Sequence, residues 1–173
     1  MNALLNQFWM ICLLRSGPQD LPAAYPLLKL TLFAYGLSGL VFLLGGVGNL
    51  NLPQAALLVV VDIALLAVLT YLVLHAVHHL PRFTQTLTAL AGTGALLQLI
   101  ALPLGVWFTW AEAAGASGQF PALLWLLLMI WSLTITGHIL RHALSVSFGI
   151  GVLCALGYVF ISWAVAEQII VGV

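Results

Sequence analysis

The 173-residue chain is 64% hydrophobic and 5% charged, with four Lys or Arg against four Asp or Glu and a formal net charge of zero. A soluble domain carries about 25% charged residues because its surface meets water, so these residues predict no folded domain outside a membrane. The lack of any basic run leaves nucleic-acid binding without an electrostatic basis.

Residues 2–14 place Leu4, Leu5, Phe8, Trp9, Cys12 and Leu13 at helical spacing, in a stretch too short to span a bilayer. They predict a helix lying in the headgroup region with Trp9 as its anchor. No Lys or Arg precedes Leu4 to Leu14, and Arg15-Ser16-Gly17-Pro18 follows, so a cleaved signal peptide is not expected. Ser16-Gly17-Pro18 breaks the helix, and Pro22 and Pro26 keep the chain irregular up to the first span. Residues 1–26 thus read as an interfacial helix with a Pro-containing connector, and 27–173 as a single five-helix transmembrane domain.

Five apolar stretches follow, each with the roughly 20 residues needed to cross a ~30 Å hydrocarbon layer as a helix. The first runs from Leu27 to Gly45 and ends at Gly45-Gly46-Val47-Gly48-Asn49. Pro53 opens the second, Gln54 to His79, and Leu80-Pro81-Arg82 turns the chain into the third, Thr84 to Trp110. The longest loop spans Ala111 to Gln119. Pro121 then sits in the first turn of the fourth span, where its missing N–H costs nothing; that span ends near Arg141, and the fifth runs from Ser145 to Glu167. The expected fold is an all-α polytopic helical bundle.

If the spans alternate, Arg15, Lys29, Arg82 and Arg141 share one side. The positive-inside rule makes that side the cytoplasm, with the N-terminus inside and the C-terminus outside an inner (plasma) membrane. Glu112 and Glu167 fall on the other side, where Trp107, Trp110, Trp125 and Trp163 form an aromatic belt. Small residues are expected to mediate helix contacts: Ser147, Gly151 and Ala155 on span five, Thr88 with Gly92 and Ala91 with Ala95 on span three, Ala34 with Ser38 on span one. Pro103 is expected to kink span three.

All five histidines lie near the basic ends of two spans: His75, His78 and His79 on span two, His138 and His142 on span four. Residues four apart share a helix face. Were the two spans in contact, His75, His79, His138 and His142 could converge and hold a haem iron axially, or three or four of the five could hold zinc or copper. Against this, imidazole suits a membrane interface and the negative end of a helix dipole, and no Cys, Asp or Glu stands near to orient a ring. Interfacial histidines and no cofactor are therefore the expectation. Cys12 and Cys154, far apart and without C-x-x-C spacing, read as apolar core residues.

Asp62 lies within span two among apolar neighbours from Leu57 to Leu69. An ionisable group there costs at least ~2.5 kcal/mol and is expected to face the bundle interior or a water-filled cavity. Its readings are proton relay, cation coordination, a partner contact, or a protonated acid hydrogen-bonded across helices to a residue such as Thr31, Gln98 or Ser162. Gln98 reads as glue between helices. No G-x-S-x-G, H-E-x-x-H, P-loop or paired carboxylates occur, so no catalysis is expected.

A short N-terminal region followed by five spans is the plan of the Yip1-type membrane proteins. The segment Trp131-Ser132-Leu133-Thr134-Ile135-Thr136-Gly137-His138-Ile139-Leu140-Arg141, within Trp131 to Val165, resembles the fourth-to-fifth span region of bacterial Yip1-like proteins. Gly17-Pro18-Gln19-Asp20-Leu21-Pro22 is loosely similar to the Asp-Leu-Tyr-Gly-Pro element of the eukaryotic members, but its order differs and its Tyr is absent, so no binding residue carries over. The resemblance implies a bacterial inner-membrane protein. The functional expectation is a non-catalytic scaffold or accessory subunit in contact with lipid and with a membrane-protein partner or its own copies. The alternatives are a proton-coupled transporter or channel using Asp62, and a haem or metal protein.

Overall fold

The computed structural model describes residues 2–45, 50–114 and 118–172. Among these residues six α-helices occur in this order: α1 (Asn2–Cys12), α2 (Tyr25–Gly45), α3 (Leu52–Ala76), α4 (Phe83–Ala113), α5 (Gln119–Leu144) and α6 (Phe148–Gly172), with short 3₁₀ turns at Pro18–Asp20 and Leu80–Arg82. Among the described residues there is no strand, and five of the helices are long and apolar enough to cross a membrane. The protein is a multi-pass, all-α membrane protein.

The ends of the helices follow local chemistry. Asn51 caps α3 by accepting from Gln54 N at 3.0 Å, while Gln54 Oε1 accepts from Asn51 N at 3.3 Å, and Pro53 occupies the first turn. Span two stops at Ala76, three residues short of the expected His79, because His78 takes a left-handed φ of 57°. Span five starts at Phe148 instead of Ser145 for the same reason: Ser145, at φ 58°, is the left-handed cap of α5. A left-handed residue cannot continue a right-handed helix. Pro103 stands inside α4, which runs on without interruption. The Gly46–Asn49 turn expected after span one lies outside the described residues, as do 115–117 of the loop before α5.

Arg82 ties two connections together. Its Nη1 donates to His142 O and Ala143 O, each at 3.1 Å, and to Ser145 Oγ at 2.8 Å, satisfying carbonyls that the end of α5 leaves open. Arg82→Gln is expected to lower stability by about 1 kcal/mol, since the site is exposed and water can replace part of the bonding. A thermal melt in detergent checks this, and an unchanged midpoint would mean water does the capping already.

Helix α4 is the centre of the bundle: 44% of its most apolar window is buried, against 11% for α6. Its main partners are α2, which runs parallel to it, and α5, which returns antiparallel and then pairs with α6. Small residues set these distances. Gly94 lies so close to Tyr35 of α2 that an added Cβ would stand 2.6 Å from its ring. Gly137 of α5 and Gly151 of α6 bring those two backbones together.

The N-terminal segment is integrated with this bundle. Phe8, Ile11, Cys12 and Leu21 belong to the main core cluster with Leu87, Ala91, Ile135 and Ile139. The Phe8 ring covers Gly92, where any Cβ would collide with it. Trp131 Nε1 donates to Cys12 O at 3.0 Å, and its ring meets Trp9 edge-on at 6.2 Å. Gln85 Nε2 donates to Leu21 O at 2.8 Å, and Gln7 Nε2 to Asp20 O at 2.8 Å. Burial pushes the Cys12 thiol up to about 11. Only the thiolate is nucleophilic, so alkylation of Cys12 is expected to be slow at pH 8 and to accelerate as pH rises toward 11. Rapid labelling at pH 8, read by mass spectrometry of the Cys12 peptide, would contradict this placement.

Candidate intramembrane site

Three polar side chains from three helices meet in the middle of the apolar bundle. Asp62 lies on α3, ten residues past Leu52, or about 15 Å along the helix. Tyr35 of α2 donates to Asp62 Oδ2 at 2.5 Å, and Tyr158 of α6 donates to Oδ1 at 2.9 Å. An ionised carboxylate is acceptor-only, with about four lone-pair positions on its two oxygens. Both Asp62 oxygens here accept a hydrogen bond. Below this group, Ser38 Oγ of α2 donates to Gln98 Oε1 of α4. Gln98 is therefore interhelical glue, joining α2 to α4.

The cluster heads a cavity of about 510 Å³ between α2, α3 and α6, with Gln98 on its α4 side. The walls run from Asp62 past Leu58, Val159 and Trp163 to Leu50 and Ile170, so the space extends from mid-bundle to the end opposite Arg82. Ser162 also lines it, and its Oγ is buried with no hydrogen-bond partner. No Lys, Arg or His is among the lining residues.

Asp62 does not take the partners expected for it. Thr31 Oγ1 donates within its own helix to Leu28 O at 3.0 Å, Gln98 pairs with Ser38, and no hydrogen bond joins Ser162 to Asp62. Tyrosine supplies the bonds instead, because its ring carries the hydroxyl across the gap between helices. The signal was present in the sequence: Tyr35 and Tyr158 lie in the middle of their spans, whereas membrane tyrosines collect at interfaces.

The histidines do not converge. His138 and His142 touch, with ring centroids 4.7 Å apart, and His138 Nε2 pairs with Ser16 O at 3.1 Å. His75 is exposed and stacks on Tyr71 of its own helix at 5.9 Å. His78 occupies the left-handed turn, and His79 Nδ1 is buried without a partner. Helices α3 and α5 pack together at this end, Leu74 against Leu140, Ala143 and Leu144, without gathering the imidazoles at one point. Among the described residues no group of three His, Cys, Asp or Glu is placed to hold a metal ion.

No family model, curated protein or solved structure matches this chain.

Proposed function

We propose that this chain is a non-catalytic protein of a cell inner membrane that works by binding inside the bilayer, as a small accessory subunit of a membrane assembly. The observation that carries the reading is the Tyr35–Asp62–Tyr158 cluster at the head of an apolar cavity of about 510 Å³. A concave, mostly apolar space of 300–1,000 Å³ with a few convergent polar groups is the usual form of a small-molecule site. It is too small for a partner's transmembrane helix, which leaves the lipid-facing sides, such as Leu153 and Phe160 of α6, for contacts with other chains. The common end of Arg15, Lys29, Arg82 and Arg141 supports a cytoplasmic N-terminus and an outer C-terminus. The five-span plan and the Trp131–Arg141 segment support a Yip1-like relationship as part of the same proposal.

Native mass spectrometry of protein extracted from membranes tests it. The expected spectrum carries an adduct of a few hundred daltons that the cleft-filling variant Ala166→Trp loses at an unchanged melting temperature. Identical spectra for the two proteins would remove the cleft from consideration.

A second reading, proton-coupled transport, is favoured by the same acid in the middle of a span. Asp62→Asn retains the shape and acceptor oxygen but cannot carry a charge. Proton flux into proteoliposomes under an imposed pH gradient should then be lost; flux equal to that of the unaltered protein would end this reading.

A further inference from the structure

The reading of the cleft as a binding site leaves open what enters it, and the lining residues constrain the answer. The cavity contains one carboxyl group and no basic residue. The four Lys and Arg lie at the other end of the bundle: Arg15 follows α1 next to the Ser16–His138 contact, Lys29 is in the first turns of α2, and Arg82 and Arg141 lie about the α5 terminus. Among the described residues Asp62 thus has no cationic partner. Its two phenol bonds fill only part of its acceptor capacity. The Ser162 Oγ, beside the Tyr158 hydroxyl, adds a further polar atom to the lining.

Aromatic residues surround the same space: Tyr35, Phe42, Tyr158 and Trp163. The negative face of an aromatic ring attracts a cation, and the attraction grows when the site is dry. An acid in a place of low dielectric selects positive charge and repels an anion, and a ring that turns its face to the space adds to that selection. Beyond the acid, the walls are Leu, Val and Ile side chains over about 15 Å of helix, which suits an apolar body.

We propose that the α2–α3–α6 cleft binds a hydrophobic cation, an amine or quaternary onium group carrying an apolar body of drug-like size. The charged head sits at Asp62 between Tyr35 and Tyr158, and the body lies along α3 and α6 toward Leu50 and Ile170. This assignment rests on the cleft being a binding site, and the experiment separates the two claims.

Tetraphenylphosphonium and tetraphenylborate are close in size and apolar surface and opposite in charge. Isothermal titration of the full chain in detergent with each ion reads charge selection directly, with Ala166→Trp protein as the measure of partition into micelles. The expected result is one tetraphenylphosphonium per chain above that background, at least tenfold weaker binding to Asp62→Asn, no change in Glu167→Gln, and no binding of tetraphenylborate. Tyr158→Phe, which keeps the acid, should weaken binding less than Asp62→Asn and serves if the latter does not fold. Equal binding of both ions, or full binding to Asp62→Asn, overturns the cation assignment while the cleft remains a site. Binding of neither ion overturns the assignment as well, and if native spectra also show no adduct, the binding-site reading falls with it.

Discussion

Gly151→Leu is expected to separate α5 from α6 and to be among the most damaging single substitutions in the chain. A Cβ at Gly151 would overlap the Gly137 carbonyl oxygen and stand 3.0 Å from Arg141 N; one at Gly137 would stand 2.7 Å from Val152 Cγ2 and 3.1 Å from Val152 Cα. These obstacles are largely backbone, which cannot rotate away as a side chain can. Overpacking a tight contact costs about 1–3 kcal/mol, and a leucine in place of hydrogen exceeds the usual insult. Helices in lipid have no hydrophobic force to hold them together and depend on this close packing. Ala155, one turn further along α6, is fully buried and would lose its contacts as well. Gly157→Ala is the internal control: nothing lies within 4 Å of its added Cβ, so the better helix propensity of alanine should leave stability equal or raised by up to ~1 kcal/mol. Thermal melts of the two variants in one detergent decide the matter. Equal midpoints would mean the α5–α6 backbones do not meet at Gly137 and Gly151.

The second large effect concerns the intramembrane acid. Tyr35→Phe combined with Tyr158→Phe removes both donors to Asp62 and leaves a carboxyl group among apolar walls. Hydrogen bonds to a charged group contribute about 1.5–3 kcal/mol each, whereas polar pairs measured between membrane helices average only ~0.6 kcal/mol. The acid argues for the upper range, and access to the cavity argues against it, so a loss of about 2–3 kcal/mol is expected for the pair. Adding Asp62→Leu to the double variant should then recover most of that loss, because replacing all partners with apolar groups leaves nothing unsatisfied. Melting the double and triple variants side by side gives the answer. A triple variant less stable than the double would show that Asp62 has structural partners other than the two phenols.

The spans could be read from the sequence because transfer from water to lipid is decided residue by residue. Runs of about 20 apolar residues needed no knowledge of their neighbours. The helix ends were harder. His78 and Ser145 both take left-handed φ values, a conformation usually marked by glycine, and neither residue type announces it. Gly151 and Ala155 stood out as a small-residue ridge, yet Gly137, which faces Gly151, did not, since a ridge says nothing about what it faces. Asp62 and Gln98 were conspicuous as polar residues in apolar runs. Their partners Tyr35, Tyr158 and Ser38 come from helices 27, 96 and 60 positions away. The histidines made the opposite case: they share an end of the bundle, yet among the described residues no three of them gather into a ligand group.

The amino-acid sequence by itself determined the solvent of this protein, the existence of five spans and the identity of the one acid in the middle of them. Each follows from a free energy that a residue or a short run carries alone. Only the tertiary structure decided which helices touch, that the N-terminal helix shares the core of the bundle, and that Asp62 heads an apolar cleft between two tyrosines. Inward and outward faces of a membrane helix are both apolar, so no periodic pattern marks the side that meets a neighbour. That choice is made by steric fit between whole helices.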